Sequence, residues 1–154
     1  MNKQELGELV LASESTLYHV AYSILHNDAL CADAAQEAIA IAFSKIGTLK
    51  NNDYAKTWLV RILINECYRL MKQQKRQLPL ESGWEPAASE APDYSDLYEA
   101  LEQLSPDNRL AVTLYYLEGF SISEIADLAH TTTGTVKSRL ARSRKTLRTL
   151  LEAM

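Results

Sequence analysis

An acidic, proline-containing segment near the middle of the chain constrains the fold more than any other feature. It runs from Leu78 to Asp96, reads LPLESGWEPAASEAPDYSD and contains three of the four prolines. Proline removes a backbone donor and breaks helices, and the segment lacks helical spacing of its apolar residues. We therefore predict a linker over 78–96 that joins two domains, 1–77 and 97–154. Trp84 within it either docks on a neighbouring surface or is a simple linker aromatic.

The net charge of −4 is unevenly distributed. Residues 78–100 contain six acids and no Lys or Arg, whereas residues 1–77 and 101–154 each carry a balance of +1. The acidic surplus thus lies in and next to the linker. Both flanking domains can therefore carry local basic faces that bind nucleic acid.

The composition favours an all-α protein. Of the 154 residues 47% are hydrophobic, only five are glycine, and Leu, Ala, Glu, Lys and Arg dominate,. No apolar stretch approaches the roughly 20 residues that span a bilayer, and the first ten residues lack a signal-peptide pattern, so we expect a cytoplasmic protein without membrane insertion. Cys31 and Cys67 lie far apart within helical patterns, which predicts reduced thiols, one or both buried.

The N-terminal domain reads as three or four helices. Apolar residues at helical spacing predict helices over 3–25 and 31–46. The polar loop 47–53 follows, and Asp53 is the expected N-cap of a third helix that ends near Lys75,. We expect this third helix to bury Trp58, Leu59, Ile62, Leu63 and either Tyr68 or Leu70.

The C-terminal domain reads as four helices, over 95–103, 106–117, 121–129 and 133–151. Ser105 and Pro106 open the second helix in the usual order of cap and proline. Ser121 and Glu124 form a capping-box pattern at the start of the third. The last two helices, joined by the turn 130–132, match a helix-turn-helix pattern.

The shared core of this pair is small. We expect it to consist of Ile122, Ile125, Ala126, Val136 and Leu140, with Ala126 small because the two helices cross closely there. The last helix carries six basic residues and no acid between Gly134 and Leu151. A helix of this kind fits the DNA major groove with its N-terminal residues at the base edges. A solvated basic face on an ordinary bundle is the alternative.

The candidate DNA contacts divide by their position on the last helix. The residues expected at base edges are Thr133, Thr135, Lys137, Ser138 and Arg139. The residues expected at phosphates are Arg142, Arg144, Lys145 and Arg148.

The stretch Gly119–Leu147, GFSISEIADLAHTTTGTVKSRLARSRKTL, resembles region 4 of extracytoplasmic-function sigma factors. It keeps the pattern G-x-S-x-x-E-I-A, a turn, and G-T-V-K-S-R-L-x-R, and it departs at Ser143, where the family usually has Ala. The resemblance implies that this domain binds the promoter −35 element.

Two further motifs in the N-terminal half resemble region 2 of the same family. Asp33–Ile39 is similar to the signature D-x-x-Q-E-x-F, with Ile39 in place of the aromatic residue. This resemblance implies that Asp33, Gln36 and Glu37 contact core RNA polymerase; without it they would read as solvent-facing polar residues.

The second motif, Tyr54–Arg76, is similar to the regions that open and read the −10 element. Arg69 replaces a frequent Asp, and Trp58 is expected to pack in the core more than on a base. The residues that the resemblance implies for this contact are Asn51, Asn52, Asp53, Trp58, Arg61, Asn65, Arg69 and Lys72.

The sequence is therefore identified as a sigma factor that directs promoter-specific initiation, with core RNA polymerase, promoter DNA and an anti-sigma factor as implied partners. Two alternatives remain: a stand-alone dimeric helix-turn-helix regulator, and a helical adaptor that binds a protein through the 31–46 helix. An enzyme is the least favoured class, because the three histidines are scattered and no nucleophile elbow, phosphate loop or metal-ligand cluster occurs,. We expect no catalytic residue, cofactor or metal.

Overall fold

The computed structural model describes residues 1–77 and 95–153, and within these ranges every regular element is helical. The all-α prediction is therefore confirmed. The chain divides into two compact units, unit 1 within residues 1–87 and unit 2 within residues 88–154. Residues 78–94 of the predicted linker, with Trp84, lie outside the described residues, and the domain limits 1–77, 78–96 and 97–154 stay predictions.

The described part of unit 1, residues 1–77, is a bundle of four helices with two short 3₁₀ turns between the third and fourth helix. The helices are α1 Lys3–Ala12, α2 Glu14–Leu25, α3 Asp28–Ser44 and α4 Ala55–Gln77; the 3₁₀ turns are Ile46–Thr48 and Asn52–Tyr54. Helices α2, α3 and α4 pack against one another, and α1 packs against α2 and α3.

The prediction of a single helix over 3–25 is wrong, because the chain turns at Ser13. The backbone of Ser13 leaves the helical region (φ −105°, ψ 8°), and its N–H donates to the Val10 carbonyl at 3.1 Å. This tighter bond ends α1 and lets α2 start in a new direction. Ser13 is itself buried. Serine is tolerated inside helices, so the continuing apolar pattern hides the break.

The predicted N-cap at Asp53 is also wrong. Asn51 has the extended backbone of a cap residue, and its side chain accepts a hydrogen bond from the Asp53 N–H at 3.0 Å. Asp53 lies inside the 3₁₀ turn that leads into α4. The loop predicted over 47–53 thus contains parts of two 3₁₀ turns.

The core of unit 1 depends on small residues in α3 and apolar residues in α4. Ala34, Ala38 and Ala42 recur every fourth residue and are buried, which lets α4 approach the α3 backbone closely. The buried residues of α4 are Ala55, Leu59, Val60, Leu63, Ile64 and Cys67. Leu59 and Leu63 were predicted in this core, whereas Trp58, Ile62, Tyr68 and Leu70 are only half-buried.

The two cysteines of unit 1 are buried and carry free thiols, as predicted. Burial raises the pKa of the Cys31 thiol to about 11. Burial likewise raises the pKa of Cys67 above its usual range. Both side chains therefore remain protonated at neutral pH and behave as small apolar residues.

Within residues 95–153, unit 2 contains four helices and one π-helical turn. They are α5 Ser95–Glu102, α6 Pro106–Val112, the π turn Thr113–Leu117, α7 Ile122–Leu128 and α8 Thr133–Ala153. The predicted caps are confirmed: the Ser105 hydroxyl accepts from the Asn108 N–H at 3.3 Å, and Ser121 and Glu124 form a complete capping box.

The helix predicted over 106–117 changes its winding near its end. The Glu118 N–H donates to the Thr113 carbonyl five residues back, at 3.1 Å. This wider turn leaves Tyr115, Tyr116 and Leu117 between 37% and 52% exposed. Sequence periodicity gave no signal of the change.

Helix α8 is the centre of unit 2, because α5, α6 and α7 all pack against it. Ile125, Ala126, Val136 and Leu140 are buried as predicted, whereas Ile122 is half-buried. Burying an isoleucine, valine or leucine side chain contributes about 1.5–3 kcal/mol. No helix in the described part of the chain combines the length and the apolar character needed to cross a membrane.

Candidate nucleic-acid interface

The turn between α7 and α8 has a defined helix-terminating geometry. The Thr131 N–H donates to the Ala126 carbonyl at 2.9 Å, and the His130 N–H donates to Asp127 at 3.3 Å. This bond pair, with His130 in the left-handed region (φ 54°), is a Schellman motif,. It ends α7 sharply and allows α8 to begin three residues later.

A threonine caps the start of α8. The Thr135 N–H donates to the Thr132 hydroxyl at 3.1 Å. The hydroxyl oxygens of Thr132 and Thr135 lie 2.9 Å apart. The cap fixes the direction in which the first turn of α8 leaves the loop. The remaining backbone N–H groups of that turn can donate to a phosphate.

A surface groove runs between the start of α6 and the first half of α8. The residues that line it are Ser105, Asp107, Asn108, Thr132, Gly134, Thr135, Ser138, Arg139 and Arg142. Two guanidinium groups, several hydroxyls, an amide and one carboxylate thus face one space. Such donors and acceptors can bind base edges and phosphate oxygens.

Four of the nine residues predicted as DNA contacts on α8 meet in this groove. Thr135, Ser138, Arg139 and Arg142 line it. The residues outside its lining are Thr133, Lys137, Arg144, Lys145 and Arg148, all exposed. One groove thus gathers four of the nine residues, and the roles of all nine stay predictions.

Arg139 lies close to a carboxylate of α6. Its Nη2 atom is 3.8 Å from Asp107 Oδ2, and its side chain is 23% exposed, against 56% for Asp107. A direct hydrogen bond of this kind measures about 2.7–2.9 Å, so the ion pair is loose. The guanidinium keeps donors available to a ligand in the groove.

Arg144 lies on a different side of α8. It follows Arg142 by two residues, which is about 200° around a helix. Its Nη1 atom donates to the Tyr116 hydroxyl of the π turn at 2.9 Å. Lys137 is about 200° around the helix from Thr135, and Arg148 is about 240° from Arg142. Both therefore also point away from the groove face.

Unit 1 presents a second polar face along α4. Five of the residues predicted to contact the −10 element lie on this helix: Trp58, Arg61, Asn65, Arg69 and Lys72. Successive members are three or four residues apart, which places all five on one side of α4. Four are exposed and Trp58 is half-buried. The Arg69 Nε atom donates to the Glu66 carboxylate at 2.9 Å, a surface ion pair that a phosphate can replace,.

The loop before α4 contributes three more of the predicted residues. Asn51, Asn52 and Asp53 are all exposed. The Met1 amino group donates to the Asn52 side-chain carbonyl at 3.2 Å. The start of the chain therefore lies beside this loop.

Sequence reasoning missed Tyr54 as part of this face. Its side chain is 62% exposed, and it precedes Trp58 by one helical turn, so it extends the α4 face toward the loop. An exposed aromatic ring at the end of a basic track can stack an unpaired base. The spacing from Tyr54 to Arg61 could have revealed it.

Sequence reasoning also missed the contribution of α6 to the groove, from Ser105, Asp107 and Asn108. These residues are about 30 positions from α8 in the sequence. Only tertiary packing brings the two segments together.

The predicted polymerase-contacting residues share one face of α3. Asp33, Gln36 and Glu37 are spaced by three and one residues, and all are exposed,. The opposite side of α3 carries the buried alanines. The face is thus available to a partner without disturbing the core.

These features define a class: a two-unit helical protein with a helix-turn-helix in its second unit. Among the residues that the structure describes, no group of three or more His, Cys, Asp or Glu could hold a metal ion.

Comparison with known families assigns both units. Residues 9–77 match the family described as Sigma-70 region 2, and residues 94–147 match Sigma-70, region 4. The RNA polymerase sigma factor SigV of Bacillus subtilis is 29% identical over 96% of this chain and 95% of its own length. The ECF RNA polymerase sigma-E factor of Escherichia coli K12 is 31% identical over 75% of this chain and 70% of its own length.

One solved structure agrees with this assignment, and a second shares the fold. The sigma factor RpoE of Bartonella quintana, crystallised with the anti-sigma factor NepR, matches with a TM-score of 0.82 and 29% identity, covering 97% of this chain and 98% of that one. CnrH, solved with the cytosolic domain of CnrY, shares the fold with a TM-score of 0.72. The chain belongs to the extracytoplasmic-function group of the sigma-70 family of RNA polymerase sigma factors.

Proposed function

We propose that the two units divide promoter recognition between them. Unit 1, predicted as domain 1–77, binds core RNA polymerase and the −10 element. Unit 2, predicted as domain 97–154, binds the −35 duplex, and residues 78–96 link the two. The family acts as a non-catalytic initiation factor, so we expect no chemical step by this chain itself and a cytoplasmic location.

One observation carries the proposal for unit 2. Thr135, Ser138, Arg139 and Arg142, chosen from sequence as DNA contacts, line a single groove beside the capped start of α8. Helical spacing puts these four residues on one face of α8, and the start of α6 beside that face adds Ser105, Asp107 and Asn108 to form a groove,. The groove supports binding of a duplex through base edges and nearby phosphates.

The proposal for unit 1 is supported by the separation of its two faces on different helices. The α4 face carries cations and an aromatic residue, which suits a DNA strand. The α3 face carries two acids and an amide, which suits a basic protein surface. A single chain can therefore bind polymerase and promoter together through unit 1.

Control by an anti-sigma factor is part of the same proposal. RpoE of Bartonella quintana was solved with the anti-sigma factor NepR, and the structural match to RpoE covers 97% of this chain. We expect a protein partner to hold this chain away from polymerase until a signal releases it. Tethering the two DNA-binding units on polymerase then raises their joint affinity through effective concentration.

Run-off transcription with bacterial core RNA polymerase tests the proposal, on templates that include the upstream region of this chain's own gene. We expect discrete transcripts that require the protein and disappear when both Arg139 and Arg142 are changed to Glu. The single variants Arg139→Glu and Arg142→Glu are compared with Arg148→Glu, which reverses one charge on the same helix about 240° from Arg142. Arg148→Glu should retain more transcription than either groove variant.

Other results would contradict the proposal. If the wild-type chain gives no transcript and does not retain core polymerase, the sigma role fails. Specific binding of a duplex by a dimer without polymerase would then favour the stand-alone regulator. Retention of a protein partner that ignores charge reversal in α8 would favour the adaptor.

A further inference from the structure

The groove of unit 2 contains a carboxylate where it is expected to receive a polyanion. Among the residues that line it, Asp107 is the one acid, and it lies 3.8 Å from the guanidinium of Arg139. A carboxylate in this place repels every DNA phosphate that comes near it. It therefore lowers sequence-independent binding, unless it contributes something that offsets the repulsion.

We propose that Asp107 is a positioning residue for sequence recognition. Its carboxylate holds the Arg139 guanidinium toward the groove and keeps it from the DNA backbone. This inference rests on the proposed function of unit 2 and adds to it the residue that directs one of its arginines. No feature of the helix-turn-helix sequence itself assigns such a role to α6.

The exposure of the two side chains supports this arrangement. Arg139 is 23% exposed, so neighbouring atoms already restrict it, whereas Arg142 on the same face is exposed. A long, flexible arginine side chain loses considerable freedom when it binds. Arg139 has lost part of this freedom before DNA arrives, which is the preorganisation that precise contacts need.

The length of the ion pair supports it as well. At 3.8 Å the carboxylate attracts Arg139 but does not occupy its donors in a close bidentate bond,. The guanidinium can therefore donate to the two acceptors of a guanine edge while the carboxylate stays near it. Without Asp107, the strongest acceptor within reach of the Arg139 guanidinium would be the nearest phosphate oxygen of the DNA.

Selection from a duplex library tests the inference. Holoenzyme assembled from core polymerase and the full chain selects promoter fragments in which the upstream contact segment is randomised. The enriched sequences and the binding constants are compared for wild type and Asp107→Asn. Asp127→Asn is the matched control, because it removes the same charge from an exposed position of unit 2 outside the groove.

We expect Asp107→Asn to reduce discrimination at one base pair by about fivefold or more, near the lower limit for one bidentate arginine contact. Binding to unrelated duplex should strengthen, and the slope of log affinity against log salt should steepen by about one phosphate contact. Asp107→Glu should keep most of the discrimination. In an Arg139→Gln background, Asp107→Asn should change discrimination no further.

Two other outcomes separate the inference from the proposed function. If wild-type holoenzyme enriches no upstream sequence, DNA recognition by unit 2 fails, and the inference fails with it. If wild type enriches a motif, and Asp107→Asn strengthens binding to all sequences equally with the same motif, Asp107 is only a surface acid. Thermal unfolding of each variant shows whether a changed motif reflects a changed fold.

Discussion

Tyr116 and Arg144 are joined by a side-chain hydrogen bond across two elements of unit 2. Arg144 Nη1 donates to the Tyr116 hydroxyl at 2.9 Å, and both residues are exposed. The bond ties Arg144 to the π turn and away from the groove that Arg142 lines. Two arginines separated by one residue are thus directed to different surroundings.

This difference predicts different effects of removing each arginine. Arg142→Ala should weaken duplex binding for all sequences and reduce the salt slope by about one contact. Arg144→Ala should leave the slope unchanged, since the side chain does not line the groove. Fluorescence anisotropy of the full chain with a labelled duplex, over a range of salt concentrations, measures both. Equal slopes for the two variants would contradict the assignment.

The exposed face of α3 predicts a separate loss of polymerase binding. Glu37→Lys should weaken the affinity for core polymerase by about tenfold or more, because it reverses a charge expected to face a basic surface. The free energy of unfolding should change by no more than about 0.5 kcal/mol, as is usual for a surface substitution. Glu8→Lys, an exposed acid of α1, is the matched control and should bind normally. If both variants bind alike, the α3 face is not the contact.

The position of Tyr54 predicts an effect on strand opening. Tyr54→Ala should reduce permanganate reactivity of unpaired thymines in promoter complexes, since stacking on one aromatic ring contributes about 1–3 kcal/mol. Tyr54→Phe should retain it, because the ring and not the hydroxyl stacks. Leu11→Ala removes an apolar side chain that is 71% exposed elsewhere in unit 1 and serves as the control. Wild-type reactivity in Tyr54→Ala would refute the role.

Features with local causes were predictable from the sequence. The Ser121–Glu124 capping box and the Ser105 cap depend on residues three positions apart, and the structure confirms both. The buried helix-turn-helix core followed from helical spacing, with Ile122 as the exception. The choice of Thr135, Ser138, Arg139 and Arg142 as groove residues followed from their positions in one sequence motif.

Features with distant causes were not predictable. The chain turns at Ser13 without a glycine or proline to mark the place. Asn51 and Asp53 are both good capping residues, and the packing of the loop decides between them,. The pairing of Asp107 with Arg139 joins residues 32 positions apart, which no periodicity reports. The resemblance to the sigma factor family implied roles for the faces but did not indicate these contacts.

The left-handed backbone of His130 predicts a stability change. At this C′ position of a Schellman motif, glycine is the preferred residue,. His130→Val should destabilise unit 2 by about 1–2 kcal/mol, because a Cβ, and above all a branched one, crowds the carbonyl in this conformation. His130→Gly should be at least as stable as wild type, because glycine has no Cβ and adopts this backbone conformation without crowding. Urea denaturation followed by circular dichroism measures both, and equal midpoints for Val and Gly would contradict the strain.

The buried thiol of Cys31 predicts a loss of stability at alkaline pH. Burial raises its pKa from an ordinary value of 9.0 to about 11 in the folded chain. A raised pKa means that the unfolded chain loses this proton first, so the stabilisation is complete below about pH 9 and falls as pH rises through about 11. The raised pKa values of Cys67 and Tyr18 act in the same direction.

Denaturant midpoints between about pH 8 and about pH 11 therefore test the Cys31 contribution. The wild-type midpoint should fall over this range, and Cys31→Ala should show a shallower fall because one titrating group is absent. In the folded state at about pH 8, a thiol reagent should react slowly with both cysteines, since buried and protonated thiols are poor nucleophiles. Identical pH slopes for wild type and Cys31→Ala would show that the thiol does not titrate with unfolding. Fast labelling before unfolding would show that it is accessible.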